Sequence, residues 1–184
     1  DIERLVAALD GVLVVDEAYA DFAPASVIPL IKKYNNLIGL RSFSKSFSLA
    51  GLRIGLTFAD EEIVTGLLKV KDSYNLNRLS MVAAIAALDD LEWMKQNITR
   101  IIKTRQRLSQ TLTELGFYVF PSESNFVLAR LPGRDLFSLY ESLKSQGILV
   151  RYFDQPRLRD CLRITIGTED EINQLIDKLG KLLR

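Results

Sequence analysis

The chain has 184 residues, 48% of them hydrophobic, with 24 basic and 23 acidic side chains and a net charge of +1. This composition predicts a soluble core and gives no reason to expect a nucleic-acid or membrane partner, and no apolar run approaches the roughly 20 residues of a spanning helix. Without histidine and with one cysteine, the chain has no Ser-His or Cys-His pair, no histidine metal site and no intrachain disulfide, so we expect a cytoplasmic protein without a metal whose partners are small molecules.

The first half of the chain alternates short apolar strands with helical stretches, which favours a mostly parallel sheet. A short helix is predicted at residues 2–9 and strands are predicted at residues 12–15, 37–40 and 54–58. Asp60 is predicted to cap a helix that has Glu61 and Glu62 in its first turn. No partner strand precedes the first predicted strand, so this sheet is expected to be incomplete at its start.

A long helical pattern follows, from Asp89 to Gly116, with Asp89 and Glu92 at the spacing of a capping box. Beyond it, strands are predicted at residues 117–120, 126–131, 148–152 and 162–166, and a helix is predicted between Asp135 and Gly147. Thr168 and Glu171 form a second capping box, which predicts the final helix. We therefore divide the chain into the end of a large domain, a linking helix and a small α+β domain, at residues 1–88, 89–116 and 117–184.

Chemically versatile side chains follow the first two predicted strands. Asp16 and Tyr19 come directly after the first strand, and a run rich in hydroxyls around Lys45 comes after the second. Pyridoxal phosphate requires a lysine for its aldehyde, an anion near its pyridine nitrogen, and donors near its ring oxygen and its phosphate. The two segments offer each of these, with Lys45 for the aldehyde, Asp16 for the nitrogen and Tyr19 for the ring oxygen.

The phosphate of this cofactor would be bound by two hydroxyls and a guanidinium, those of Ser42, Ser44 and Arg53. Other interpretations of the same residues remain open. An acidic tetrapeptide after a strand is also typical of a strand-end turn or a helix cap, and the Ser-x-Ser-Lys run is compatible with a polar surface loop. Nucleotide binding is disfavoured, because the run lacks the glycines of a Walker-type loop.

The run from Ser42 to Gly55, with Val14 to Tyr19 ahead of it, resembles the fold-type I aminotransferases, and more narrowly the histidinol-phosphate aminotransferases. The narrower match rests on Phe22 and on the segments 125–126, 148–151 and 161–167. The resemblance covers essentially the whole chain. It implies an α/β fold in which part of a large, mostly parallel sheet is followed by a small α+β domain, and it implies pyridoxal 5'-phosphate as the cofactor.

Carried over to this sequence, the resemblance implies that Lys45 is the Schiff-base lysine, with Asp16, Tyr19, Ser42, Ser44 and Arg53 around the cofactor. It further implies that Arg163 binds the substrate's anionic group and that Arg151 assists it. From the residues alone, Arg163 could equally be a strand residue with its head in water, and Arg151 a simple strand end. The segment 72–77 departs from the family pattern, which usually has a proline before Tyr74.

The implied reaction transfers an amino group between histidinol phosphate and 2-oxoglutarate in histidine biosynthesis, so the small-molecule partners are an amino donor and a 2-oxo acid. Family members are homodimers and carry further cofactor-binding residues in a preceding half. We therefore expect this chain to be the carboxyl-terminal part of a longer enzyme and to be inactive alone. The alternatives are an aromatic or broad-specificity aminotransferase, a threonine-phosphate decarboxylase, and a cofactor-binding sensor module without turnover.

Overall fold

The computed structural model describes residues 1–183, and the chain divides into two units, the first at Asp1–Ile98 and the second from Thr99 onward. Within the described residues, no helix combines the length and the apolar character needed to cross a membrane. The two units are built differently.

The first unit contains a three-stranded sheet and three helices. Its elements are α1 (Ile2–Ala8), β1 (Leu13–Asp16), β2 (Leu37–Ser42), β3 (Gly55–Phe58), α2 (Glu61–Val70) and α3 (Arg78–Asp89). The strand order is β1-β2-β3, with β1 and β2 parallel and β2 and β3 antiparallel. The expected parallel direction is therefore wrong for β3, and the sheet is mixed. The connection 43–54 contains only turns and a 3₁₀ turn, whereas a parallel return requires a longer crossover.

Helix α2 begins as predicted, because the Asp60 side chain accepts a hydrogen bond of 3.0 Å from the backbone N–H of Glu62. Its apolar side chains are not buried in this unit, since Leu68 is 60% exposed. Helix α3 is not among the predicted elements. Its Asn77 cap accepts a bond of 2.9 Å from the Ser80 N–H, and its apolar residues are distributed around the helix rather than along one stripe.

A buried cluster of the first unit lies on one side of the sheet, where α1 and the 3₁₀ turn Ile28–Lys32 cover the strands. Val6, Val27 and Leu37 are its buried members. Gly39 of β2 allows the close approach of that turn, because a Cβ atom at this position would lie 2.8 Å from the Cδ1 atom of Ile28. On the strand beside it, Val14 points away from this core and is 54% exposed.

The second unit is a small α+β fold, as expected. Its elements are α4 (Leu91–Glu114, which begins in the first unit), β4 (Tyr118–Val119), β5 (Phe126–Arg130), α5 (Phe137–Ser145), β6 (Arg151–Tyr152), β7 (Cys161–Thr165) and α6 (Glu169–Leu182). The strand order is β4-β5-β7-β6, and every neighbouring pair is antiparallel. One face of this sheet packs on the helices, where Leu108, Leu162 and Leu179 are fully buried.

Two details of the second half differ from the sequence expectations. The helical pattern from Asp89 is interrupted, because Asp89 ends α3 and α4 starts at Leu91. The carboxylate that accepts a backbone hydrogen bond there is Asp90, from the N–H of Trp93 at 3.3 Å, so the proposed Asp89 capping box is wrong. The box at the last helix is confirmed, since Thr168 and Glu171 exchange hydrogen bonds in both directions.

Candidate active site

Two of the predicted site residues leave neighbouring strands at the same edge of the first sheet. Asp16 is the last residue of β1 and lies opposite Leu40 of β2. Lys45 follows three residues after the end of β2. Because the two strands are parallel, their carboxyl ends meet at one edge, which is where binding sites of such sheets usually form.

The segment 16–22, called here the aspartate turn, holds Asp16 and Tyr19. The Asp16 carboxylate accepts a hydrogen bond of 2.9 Å from the backbone N–H of Ala18, which closes the turn locally. Phe22 is 2% exposed and anchors the far end of the turn in the interior. Asp16 itself is exposed, so its carboxylate remains accessible to a ligand.

The segment 43–48, called here the lysine turn, holds Ser44 and Lys45. Phe43 is 1% exposed, and its ring lies 4.7 Å from that of Phe47, so both ends of the turn are packed. The Ser42 hydroxyl accepts a bond of 3.0 Å from the N–H of Ser44. The Lys45 Nζ atom lies 5.2 Å from the centre of the Tyr19 ring, within cation–π range. The structure thus brings Lys45 of one turn to Tyr19 of the other.

Arg53 lies at the end of the 3₁₀ turn Ala50–Leu52, just before β3. Its backbone is left-handed, with a φ of 53°, and its guanidinium donates a bond of 3.4 Å to the carbonyl of Ala50. Ser42 pairs with Gly55 in the sheet, so the backbone of Arg53 is close to the hydroxyl-bearing end of β2. The structure therefore gathers the backbones of Ser42, Ser44 and Arg53, while the Arg53 side chain bonds its own turn.

A buried carboxylate that sequence reasoning missed lies directly after Asp16. Glu17 is 7% exposed and accepts hydrogen bonds from the N–H of Val27 at 2.6 Å and from the Ser26 hydroxyl at 2.8 Å. Its other partner is Arg41 of β2, whose Nε atom lies 3.0 Å from Glu17 Oε2. A carboxylate immediately after a buried strand and an arginine near the end of the next strand were the only sequence signals of this pair.

Arg41 extends the same group of polar residues, through its two terminal nitrogens. One nitrogen is ion-paired with Asp21 of the aspartate turn, and the other donates a bond of 2.9 Å to the Ser26 hydroxyl. Asp21 also accepts a hydrogen bond from the Ser46 hydroxyl of the lysine turn. The network formed by Glu17, Arg41, Asp21, Ser26 and Ser46 therefore joins both turns, and we call it the Arg41 network.

In the second unit, the two predicted substrate-binding arginines are direct cross-strand neighbours. Arg151 of β6 pairs with Arg163 of β7, so both side chains leave the same face of the sheet, and both are exposed. Each guanidinium lies over a ring, Arg151 at 5.5 Å from that of Phe153 and Arg163 at 5.2 Å from that of Phe126. Like charges directly opposite each other are unfavourable in a sheet, and an anion bound between them would offset that repulsion.

Neither arginine of this pair takes part in the ion pairs formed within residues 1–183. Arg130, on the neighbouring strand β5, differs in this respect, because it is ion-paired with Asp160 at 2.6 Å. Arg151 and Arg163 therefore form an exposed, positively charged patch.

Cys161 is a core residue, as expected. It is 1% exposed, and burial together with the neighbouring Asp160 raises the pKa of its thiol to about 11. A thiol with that pKa is not a nucleophile near neutral pH. Among residues 1–183 there is also no group of three or more cysteine, aspartate or glutamate side chains arranged to hold a metal ion.

A comparison with known families identifies the family of this chain. The model of the family described as aminotransferase class I and II matches residues 1–179. The chain belongs to this aminotransferase family. Its expected fold class is thereby confirmed, and so is the family resemblance on which the site residues were carried over.

Two individual relatives of this chain are histidinol-phosphate aminotransferases. The chain is 46% identical to a histidinol-phosphate aminotransferase of Gluconacetobacter diazotrophicus, over 99% of the chain and 52% of that protein. It matches the crystal structure of histidinol-phosphate aminotransferase from Sinorhizobium meliloti in complex with pyridoxal-5'-phosphate with a TM-score of 0.86 and 32% identity, over 99% of the chain and 53% of that structure. The chain thus spans about half the length of the curated relatives it matches.

A second kind of relative has the same fold. The structure of L-threonine-O-3-phosphate decarboxylase from Porphyromonas gingivalis matches 99% of the chain and 58% of that structure, with a TM-score of 0.86 and 26% identity. The fold of this chain is therefore shared by proteins named for two different reactions.

Proposed function

We propose that this chain supplies the cofactor lysine and the substrate-binding arginines of a pyridoxal-phosphate-dependent histidinol-phosphate aminotransferase. The reaction would convert histidinol phosphate and 2-oxoglutarate into imidazole-acetol phosphate and glutamate. The observation that supports it best is the edge shared by Asp16 and Lys45, with the lysine Nζ atom 5.2 Å from the centre of the Tyr19 ring. Residues 1–88 would belong to the cofactor domain, 89–116 to a linking helix and 117–184 to the small domain, in a cytoplasmic homodimer.

The donor set at this edge fits pyridoxal phosphate chemically. An amine, an accessible carboxylate and a phenol lie on the two turns, two hydroxyls lie at the end of β2, and the backbone of Arg53 lies close to them. In the described residues this cofactor would be held by Lys45 at its aldehyde, Asp16 at its pyridine nitrogen, Tyr19 at its ring oxygen, and Ser42, Ser44 and Arg53 at its phosphate. When bound, the cofactor supplies an electron sink for the pair left when the substrate's α-proton departs.

Each side chain would have a distinct task in the reaction. The Lys45 amine would hold the cofactor at its aldehyde carbon and, when free, would be the group that carries a proton to and from the substrate's α-carbon. Asp16 would stabilise the protonated ring nitrogen. The Tyr19 hydroxyl would donate to the ring oxygen, and the Arg53 guanidinium would bind phosphate oxygens, whose geometry its planar fork matches.

Arg151 and Arg163 would bind the anionic end of each substrate in turn. Histidinol phosphate offers a phosphate, and glutamate and 2-oxoglutarate offer a carboxylate. A pair of guanidiniums binds either group in a bidentate manner. Replacing both arginines by methionine should lower kcat/KM for both substrates. Arg134→Met, at another exposed arginine of the same unit, should leave both values unchanged.

Trapping the lysine tests the proposal directly. The complete product of the reading frame would be incubated with pyridoxal phosphate, reduced with borohydride and digested, and the modified peptide would be identified by mass spectrometry. We expect a pyridoxyl group on Lys45, none on Lys45→Ala, and an undiminished yield in Lys69→Ala, which removes an exposed lysine of α2. A specific adduct that persists in Lys45→Ala would contradict the proposal.

Measurements of turnover then distinguish between the candidate substrates. We expect the complete product to transaminate histidinol phosphate with 2-oxoglutarate, and the 184 residues alone to show no turnover. Efficient transamination of phenylalanine with no reaction of histidinol phosphate would instead identify an aromatic or broad-specificity enzyme. A trapped adduct without any turnover would identify a sensor module.

Threonine-phosphate decarboxylase is the second candidate, because the Porphyromonas gingivalis decarboxylase shares the fold at 26% identity. The arginine pair would bind the phosphate of either substrate, so the pair does not discriminate. The products do: release of carbon dioxide from phosphothreonine without formation of an oxo acid would favour the decarboxylase. The identity of 46% to a histidinol-phosphate aminotransferase favours transamination.

A further inference from the structure

We propose that Arg41 is a positioning residue, which holds the lysine turn against the aspartate turn and so sets the place of Lys45 relative to Asp16 and Tyr19. This inference rests on the proposed function, and adds to it a residue whose guanidinium is bound by groups of the chain itself. It is carried by the Arg41 network, whose members lie on both turns and between them.

The two ends of the network are adjacent in sequence to the two residues that matter most for the chemistry. Glu17 follows Asp16, and Ser46 follows Lys45. Arg41 joins these ends, since it binds Glu17 directly and reaches Ser46 through the carboxylate of Asp21. A displacement of Arg41 would therefore be transmitted to the backbone beside both Asp16 and Lys45.

All three nitrogen atoms of the Arg41 guanidinium are used in this arrangement. Nε binds Glu17, and the two terminal nitrogens bind Asp21 and Ser26. The planar fork of arginine makes these contacts with one rigid group, which the single ammonium of lysine does not reproduce. The proposal therefore predicts that Arg41→Lys fails to restore the position of the turns.

The local structure of the lysine turn gives a direct readout of this role. The Ser48 N–H donates to the carbonyl of Lys45 at 3.1 Å, and the Leu49 N–H donates to the carbonyl of Phe43 at 3.0 Å. Ser48 also has a positive φ of 58°, a conformation that surrounding contacts must maintain. If Arg41 holds the turn, these two amides are protected from hydrogen exchange only while the network is intact.

The first measurement is amide hydrogen exchange on the complete product of the reading frame, without cofactor. We expect Arg41→Met and Arg41→Lys to speed exchange at Ser48 and Leu49 at least about tenfold, which corresponds to the loss of one interaction of ordinary strength. The matched control is Arg4→Met, which removes an exposed arginine of α1 in the same unit. Exchange in the sheet amides of β1 and β2 serves as the reference for global unfolding.

The second measurement is the rate at which pyridoxal phosphate becomes trappable on Lys45 by borohydride. In the condensation, the lysine amine and the aldehyde lose one water to form a C=N bond, which borohydride reduces to an amine. We expect this rate to fall roughly 10- to 100-fold in Arg41→Met, because misplacement of a reacting group by about 1 Å has effects of that size. A purely structural role would lower the amount of folded protein without changing the rate per folded molecule.

Ser46→Ala keeps the test decisive if the Arg41 variants do not fold. This variant removes only the hydroxyl that joins the lysine turn to Asp21, and we expect it to speed exchange at Ser48 and to slow trapping in the same direction as Arg41→Met. If Ser46→Ala and the folded Arg41 variants match the unmodified protein within about twofold in both measurements, the positioning role is wrong. If the unmodified protein traps no cofactor at all, the proposed function fails, while the exchange experiment still judges whether Arg41 holds the turn.

Discussion

The two units of this chain differ in what holds them together. In the second unit, α4, α5 and α6 cover one face of a four-stranded sheet, and the side chains between them form a continuous buried cluster. In the first unit the buried cluster is small, and the turns that carry Lys45 and Asp16 are joined by the polar Arg41 network. The residues proposed for cofactor chemistry therefore lie where a hydrogen-bond network adds to the packing of Phe22 and Phe43 in determining the local structure.

The surface shows the same contrast. Large apolar side chains of the first unit are widely exposed on β1, β3 and α3, among them Val14 at 54%, Leu79 at 79% and Val82 at 61%. In the second unit the strand positions facing the helices are buried, with Val127 and Leu162 fully inaccessible. Apolar burial is the main source of folding free energy, so we expect the second unit to be the more stable one.

The largest expected effect comes from removing a core leucine of the second unit. Leu179 of α6 is fully buried, and Leu179→Ala should lower the free energy of unfolding by about 3 kcal/mol. Leu68→Ala is the matched control, since Leu68 also lies in a helix but is 60% exposed, and it should change stability by less than about 0.5 kcal/mol. Urea denaturation monitored by circular dichroism measures both. Similar losses in the two variants would remove the contrast between the units.

The next effect tests whether polar contacts hold the first unit. Glu17→Ala leaves Arg41 without one carboxylate partner and the N–H of Val27 without its acceptor, so we expect a loss of about 2 kcal/mol. Glu61→Ala removes an exposed carboxylate of α2 and should cost no more than about 0.5 kcal/mol. Thermal unfolding measures the loss of stability, and amide exchange within residues 1–98 shows where it occurs. A Glu17→Ala variant as stable as the control would mean that the network contributes little.

Helix caps should behave alike in both units, because capping is a local effect. Thr168 caps α6 of the second unit and Asp60 caps α2 of the first, each by accepting a backbone hydrogen bond. We expect Thr168→Ala and Asp60→Ala each to destabilise their own unit by about 1 kcal/mol. Site-resolved amide exchange in the first turns of α6 and α2 measures the two losses. A much larger loss at Thr168 would show that its cap also supports the core below it.

The smallest effect is a pH dependence at the start of α6. The backbone N–H and the hydroxyl of Thr168 donate to the Glu171 carboxylate, and these bonds hold its pKa below the usual value. The folded pKa is thus lower than the unfolded value of about 4.3, so this stabilisation is complete above that value and is lost as the pH falls through the folded pKa. Glu171→Gln should reduce the loss of stability between about pH 5 and pH 3.

Acid titration of the unfolding midpoint checks this expectation, with Asp170→Asn as the control. Asp170 lies in the same exposed helical turn and takes no part in the capping box. If both substitutions change the acid sensitivity of the second unit equally, the effect belongs to the general charge of the turn and not to the box.

Most strands and capped helices of this chain could be predicted, because each leaves a local pattern in the sequence. The capping box of Thr168 and Glu171 and the apolar runs of β1 and β2 are of this kind. Helix α3 was missed because its alanine-rich run has no apolar stripe, and the break at Asp90 was missed because the apolar pattern continues across it. The direction of β3 depends on the path of its connection, which no local pattern encodes.

The proximity of Asp16 and Lys45 could also be inferred, since adjacent parallel strands deliver their last residues to one edge. The Arg41 network could not. Glu17 and Arg41 are 24 residues apart, and their contact depends on side-chain conformations and on the register of the sheet. The cross-strand pairing of Arg151 with Arg163 is another consequence of register, and it became visible only in the structure.

At Arg53, the left-handed backbone brings the stability of the fold into conflict with the proposed recognition of an anion. Glycine would adopt a φ of 53° without the steric penalty that a side chain brings, so selection for thermal resistance alone would favour glycine there. Arginine at the same position carries that penalty and in return supplies a guanidinium, proposed here to bind an anion, from a backbone position close to the end of β2. In directed evolution of this chain for thermal stability, without selection for anion binding, we therefore expect glycine to replace Arg53 in an early round.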